Sequence, residues 1–292
     1  MFDINDLNNE LLKQEYNKLN YQIITHNNSS NVTVIYFSSH AIYFPNTEDE
    51  FIKRIKQEDR YEYKHYRFKN VKKEIFIRDI YKQWYVNGIN SQINSIDKLA
   101  VFLRSLCETE ITITVGNSAG GYAAFLLGTL IDADYVFDFG GQNNLQPEIF
   151  HETLLEKYQN DNSRAKYYNL TDCFSNTTRF PTIFYFYSAL NRQDIIQYDC
   201  IKNFSLQNPA AKLYPFAFRS DKHAHTMYNS NLKYILNYDI KLYDRMIKVS
   251  KNLNGKLISR IGFSIKICGL WQTFIQAVGR FLHRIHYYCH RI

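Results

Sequence analysis

Ile111-Thr112-Ile113-Thr114-Val115-Gly116-Asn117-Ser118-Ala119-Gly120-Gly121 is a run of five β-branched residues that breaks at once into glycines and a serine. The β-branched run favours a strand. The small residues from Tyr122 to Leu130 that follow suit a helix packed closely on a sheet. Gly116-Asn117-Ser118-Ala119-Gly120 thus carries G-x-S-x-G between strand and helix, the context in which a serine is held out as a nucleophile. The flanking glycines let strand and helix approach, and the tight turn needs them. Ser118 is therefore the candidate nucleophile. The helix N-terminus behind it would stabilise a developing oxyanion, with the backbone N–H of Ala119 as one donor. A chance Gly/Ser turn is the plainer alternative, and the flanking strand and helix weigh against it. A phosphate loop fits less well, because neither Gly-Lys-Ser/Thr nor dinucleotide glycine spacing is present.

Outward from this block, strands alternate with helices. Tyr21–Thr25, Val32–Phe37, Glu74–Ile77, Tyr135–Phe139, Thr182–Tyr187 and Lys212–Phe218 read as strands. Ser95–Leu106 has helical spacing through Ile96, Leu99, Phe102, Leu103 and Leu106. Alternation of this kind predicts a mostly parallel central sheet with helices on both faces, an α/β-hydrolase fold in view of the serine turn. Residues 1–20 read as a polar helix or arm, and residues 47–72 as charged and solvated. Residues 142–180 lack strand signals and would be a cap insertion.

On this fold an acid and then a histidine follow the serine, each after a later strand. Asp194 follows Thr182–Tyr187 and would orient the histidine and stabilise its charged form. It could instead cap the helix over Ile195–Phe204; Asp199 and Asp138 are weaker candidates. After Lys212–Phe218 come Lys222-His223-Ala224-His225. His223 is the first choice of general base and His225 the second, since spacing alone does not choose. The loop after Val32–Phe37, Ser38-Ser39-His40, would supply a second oxyanion donor from the backbone N–H of His40 or Ser39.

The chain has 292 residues and is 45% hydrophobic, enough for a sizeable core. Its many Tyr and Phe residues read as compositional bias, since no repeat period accompanies them. The net charge is +7, but the last acid is Asp244 and nine basic residues follow it. Residues 1–244 therefore carry −2, which argues against a nucleic-acid binder and gives the end of the chain its own partner. Five scattered cysteines suit a reducing compartment, and no Cys/His cluster has metal-ligand spacing. The first residues have no signal-peptide pattern.

The blocks Gly116–Ala124, Phe139-Gly140-Gly141-Gln142, Asn191–Asp194 and Lys222-His223, with Ile77-Arg78-Asp79 and Trp84-Tyr85 upstream, resemble α/β-hydrolase-type proteins of bacterial capsule and surface-polysaccharide loci. The resemblance covers roughly residues 30–240, and the serine block is its most specific part. It implies a capsule polysaccharide O-acetyltransferase using acetyl-CoA as acyl donor, with Ser118, Asp194 and His223 as nucleophile, acid and base. It implies a glycan acceptor and a bacterial cytoplasmic protein; the basic end of the chain adds the expectation of a peripheral position at the inner face of the cytoplasmic membrane. Two features depart from the pattern. Asn117 precedes the serine, and Ala224 follows His223 where many members have Gly; the second keeps His225 open. A serine esterase or deacetylase shares the chemistry. A non-catalytic scaffold of polysaccharide assembly is the third reading, against which the Ser, Asp and His positions count.

These readings divide the chain into a catalytic domain, 1–244, and a basic amphipathic helical tail, 245–292. Leu270, Trp271, Phe274, Val278, Phe281, Leu282, Ile285, Tyr288 and Cys289 fall on one face of a helix; Gln272, Gln276, Arg280, His283, Arg284 and Arg291 fall on the other. Such a helix over 255–292 suits anionic lipid. A helix packed on the domain, an oligomer contact or an anionic polysaccharide are the alternatives.

Overall fold

The computed structural model describes every residue except 1, 5, 66–69, 108–110, 151–152, 176, 209 and 290–292, and describes only the backbone of 153–154 and 282–289. Seven strands form one sheet: β1 (Tyr21–Thr25), β2 (Val32–Phe37), β3 (Lys73–Ile77), β4 (Ile111–Asn117), β5 (Tyr135–Phe139), β6 (Thr182–Ser188) and β7 (Lys212–Phe218), in spatial order β1-β3-β2-β4-β5-β6-β7. Only the β1–β3 pair is antiparallel. The labelled helices are α1 (Glu10–Tyr16), α2 (Ile96–Leu106), α3 (Ala119–Leu130), α4 (Arg192–Gln207), α5 (Asn229–Ile235), α6 (Ile240–Leu253), α7 (Arg260–Cys268) and α8 (Leu270–Cys289).

Successive side chains on a strand point to opposite faces, and the core divides accordingly. Ile35, Phe37, Ile75, Ile77, Val136 and Ile183 pack with α2 and α3 on one face. Val34, Tyr36, Ile113, Val115, Phe137, Phe184 and Phe216 pack with α6 and α7 on the other. Much of the phenylalanine content is used here. Phe139 stacks on Phe186 at 4.7 Å and Phe186 on Phe216 at 5.2 Å, a ladder of cross-strand pairs across β5, β6 and β7. The aromatic richness is thus structural as well as compositional.

Three segments differ from the sequence reading. Residues 1–20, expected as a polar helix or arm, do contain a helix, but it is docked rather than solvated: Leu12 and Tyr16 are buried with Tyr43, Phe51 and Ile55. The charged stretch from residue 47 likewise buries Phe51, Ile55, Tyr61 and Tyr63, and residues 66–69 of it lie outside the described residues. The i, i+4 spacing of Phe51 and Ile55 puts both on one side of a helical run while the charges face water. Residues 142–180 form one-turn helices, and Tyr167, Tyr168, Leu170 and Phe174 join the core beside α3.

The end of the chain is part of the same body. α6 runs across residue 244, so the expected domain division falls inside a helix. Met246, Phe263 and Ile267 pack on the sheet, and Ile258 bridges Phe218. Helix α8 turns its polar side inward. Gln276 accepts from Ser230, Asn231 and Ser264, and Thr273 pairs with Ser264. Its apolar side faces out, with Trp271 74% and Phe274 60% exposed. The side chains of Leu282, His283, Arg284, Ile285, Tyr288 and Cys289, and all of Arg291, lie outside the described residues. Among the described residues, no helix is long and apolar enough to cross a membrane.

Candidate active site

β4 ends at Asn117, α3 begins at Ala119, and Ser118 between them has φ +54° and ψ −120°. An L-residue held there is strained by about 1–3 kcal/mol, and the surrounding packing maintains it. The glycines show what that packing demands. A Cβ on Gly116 would lie 1.9 Å from the Gly120 carbonyl oxygen, and one on Gly120 would lie 2.3 Å from that of Phe37. One on Gly121 would lie 2.4 Å from Asp138 Oδ1. The Ser118 N–H is tied to the Phe139 carbonyl at 2.9 Å. Gly116, Gly120 and Gly121 therefore have no room for a side chain, and Ser118 is held by its own backbone.

Ser118, His223 and Asp194 meet at the C-terminal ends of β4, β7 and β6. Ser118 Oγ lies 2.9 Å from His223 Nε2, and His223 Nδ1 lies 2.5 Å from Asp194 Oδ1. The carboxylate on Nδ1 assigns the ring proton there and leaves Nε2 as the acceptor facing the hydroxyl. Asp194 is buried, and its second oxygen accepts the N–H groups of Ser188 and Ala224 at 2.9 and 3.0 Å. Asn191, not Asp194, caps α4: its side chain accepts the Asp194 N–H at 3.1 Å. Asp194 stands in the first turn with its carboxylate free for the histidine.

His225 is not part of this group. Its backbone N–H donates to Ser188 Oγ at 3.1 Å, and its carbonyl accepts from Arg260 at 3.4 Å. The turn between the two histidines separates them: Ala224 has φ +50°, a left-handed conformation that favours glycine. Asp199 is exposed on α4. Asp138 is fully buried and accepts the Gly141 N–H at 2.6 Å; burial, and then the nearby Asp194, push its carboxyl up to about 8.

Among the described residues, neither the Ala119 nor the His40 backbone N–H has an acceptor, whereas the Ser39 N–H donates to Glu62 at 3.0 Å. Of the two sequence candidates in this loop, His40 is the one left with a free donor. The His40 ring packs edge-on against Trp84 at 4.2 Å, and its buried Nε2 has no partner among the described residues. Burial, with Lys82 nearby, lowers its pKa to about 3, so the ring is neutral.

Gln142 is the residue whose role the sequence did not reveal. Its Nε2 lies 3.0 Å from Ser118 Oγ and 3.1 Å from His223 Nε2, and its Oε1 accepts the Trp84 indole N–H at 3.0 Å. Trp84 is in turn set by Asp79, whose buried carboxylate accepts the N–H groups of Tyr81, Gln83 and Tyr85 at 2.6–3.0 Å. The sequence signals for Gln142 are its place after the Gly140-Gly141 turn, at the end of the strand beside β4, and its inclusion in a block of the family resemblance, neither of which gives it a role. Among the described residues, no group of three or more His, Cys, Asp or Glu could hold a metal ion.

No family model matches the chain, and no curated protein matches it in sequence. Solved structures do match in fold. The capsule O-acetyltransferase of Neisseria meningitidis serogroup A, solved with caged gadolinium, is 14% identical over 79% of this chain and 92% of its own, with a TM-score of 0.51. A mutant of that enzyme solved with CoA is 15% identical over 71% of this chain and 87% of its own, with a TM-score of 0.46. Esterase B from Lactobacillus rhamnosis is 12% identical over 83% of this chain and 91% of its own, with a TM-score of 0.45. The seven-stranded, mostly parallel sheet covered on both faces is an α/β-hydrolase fold.

Proposed function

We propose that this chain is a serine acyltransferase that moves an acetyl group from acetyl-CoA to a hydroxyl of a bacterial capsular or surface polysaccharide. The carrying observation is the hydrogen-bonded series from Asp194 through His223 to Ser118 on its strained turn. His223 Nε2 takes the Ser118 proton as Oγ attacks the thioester carbonyl. The N–H groups of Ala119 and His40 receive the developing oxyanion. Collapse breaks the C–S bond, and the CoA thiolate leaves with the proton from His223. An acceptor hydroxyl then gives its proton to His223 and attacks the acyl-enzyme; collapse returns Ser118 to its hydroxyl form. The transferase reading draws on the capsule-locus resemblance of the serine block.

A hydrolase is the second reading. The His223 side chain is 40% exposed, so water can reach the base. Purified protein incubated with acetyl-CoA, with and without a capsule polymer, separates the two. Acetyl groups on the polymer support transfer, and CoA release at the same rate without polymer supports hydrolysis. Equal turnover in Ser118→Ala would overturn both.

For location, we infer that the outward apolar side of α8 seats on the anionic inner face of the cytoplasmic membrane. Trp271, Phe274 and Phe281 are exposed, and no acid follows Asp244. Removing 255–292 is a poor test, since Phe263 and Ile267 belong to the core. The substitutions Trp271→Ser, Phe274→Ser and Phe281→Ser together leave it intact. Wild-type protein should sediment with phosphatidylglycerol vesicles and the triple variant should not. A wild type that stays in solution, or a dimer that the triple variant dissociates, overturns the lipid reading.

A further inference from the structure

A groove of about 1160 Å³ opens beside the site, lined by Asn117 and Ala224, the chain neighbours of Ser118 and His223. Its size suits a substrate of several groups. The last two described helices supply part of its wall, with Arg260 from α7 and Arg280 from α8. Both guanidiniums rest on one ring: Arg280 Cζ is 4.1 Å and Arg260 Cζ 5.6 Å from the centre of Tyr228. Arg280 is further fixed by donating to Ser230 Oγ at 3.0 Å, and Arg260 by donating to the His225 carbonyl at 3.4 Å.

Neither guanidinium pairs with a carboxylate of the described residues. The acids lining the groove are committed elsewhere: Glu58 pairs with Arg54 at 2.9 Å, and Glu62 accepts from the Ser39 N–H and hydroxyl. Two arginines set on one aromatic ring without a counter-charge, on the wall of a groove, are arranged for an incoming anion. Guanidinium forks match phosphate oxygens in geometry, and two of them balance a charge near −2. A cation–π contact orients each plane without consuming its donors.

We propose that Arg260 and Arg280, oriented on Tyr228, form a subsite for a phosphate group carried by the acyl donor or by the acceptor. The inference rests on reading the groove as the substrate channel of Ser118. It gives the end of the chain a part in substrate recognition that the division at residue 244 does not include.

Isothermal titration calorimetry with inorganic pyrophosphate at low salt tests the subsite without turnover. Wild type and Ser118→Ala should bind it equally, so failure of the nucleophile reading leaves this measurement standing. The double variant Arg260→Gln/Arg280→Gln should bind at least about tenfold more weakly, and Arg260→Lys/Arg280→Lys, which keeps the charge but loses the planar fork and its stacking on Tyr228, should bind with an affinity between the two. Absence of binding in wild type, or equal binding in wild type and the Gln variant, overturns the proposal. Two kinetic arms then identify the source. A rise in KM for acetyl-CoA but not for acetyl-pantetheine in the Gln variant assigns the phosphate to the donor. A rise in KM for glucose 6-phosphate but not for glucose assigns it to the acceptor. No change in either arm overturns the link between subsite and catalysis.

Discussion

The Gln142 amide nitrogen stands 3.0 Å from Ser118 Oγ while its carbonyl is held by the Trp84 indole. The amide also lies 3.1 Å from His223 Nε2, which has a single lone pair to offer. Gln142 and the serine hydroxyl therefore share the space around one acceptor. Gln142→Ala should lower kcat/KM by about 10–100-fold and cost about 1–3 kcal/mol of stability, because the buried Trp84 indole N–H loses its acceptor, read by ester turnover and chemical denaturation. Gln142→Glu should shift the acid limb of the pH–rate profile upward, because a negative charge beside the imidazole favours its protonated form. An unmoved limb would count against contact during turnover.

Ser118→Ala, His223→Ala and Asp194→Asn should each reduce acyl transfer by about 10³-fold or more. His225→Ala should stay within about threefold of wild type, since that side chain is outside the hydrogen-bonded series. Equal losses at His223 and His225 would show that the base is misassigned.

Ala224 occupies a left-handed conformation and sends its N–H to Asp194. Ala224→Gly should change stability by no more than about 1 kcal/mol, with relief of backbone strain offset by lost packing. Ala224→Val should cost about 2 kcal/mol and lower activity, because a β-branched residue resists this backbone and moves the acid's donor. Chemical denaturation of both variants checks the order.

Asp138 gives a pH signature. Its folded pKa of about 8 lies above the ordinary 3.8, so the folded chain holds a proton that the unfolded chain releases. The stability it contributes is complete below pH 4 and is lost as pH rises through 8. Asp138→Asn stays neutral throughout. The melting temperature of the variant should gain on wild type between pH 4 and 8 and level off above that, and a constant difference would contradict the assignment.

What the sequence discloses is local constraint, and what it hides is direction. The serine turn is legible because its requirements lie within five residues, where Gly116 and Gly120 have no room for a side chain. The acid and histidine are legible as candidates because each follows a strand in order. Choosing between His223 and His225 depends on the backbone sign at Ala224, which composition does not encode. Gln142 acquires its place through Trp84 and, behind it, Asp79, a relation spanning some sixty residues of chain. Charge density concealed the buried Phe51, Ile55, Tyr61 and Tyr63. Helical periodicity identified the two faces of α8 but not which one meets the protein, and the polar face does.

The chain has two tryptophans, and the fold gives them opposite surroundings. Trp84 is 2% exposed and bonded to Gln142, while Trp271 is 74% exposed on α8. Their fluorescence should therefore separate into a blue, acrylamide-shielded component at the site and a red, quenchable one at the chain's end. With each replaced in turn by phenylalanine, the remaining emission becomes an optical reporter: one for occupancy of the site beside Ser118, the other for whatever settles against the terminal helix.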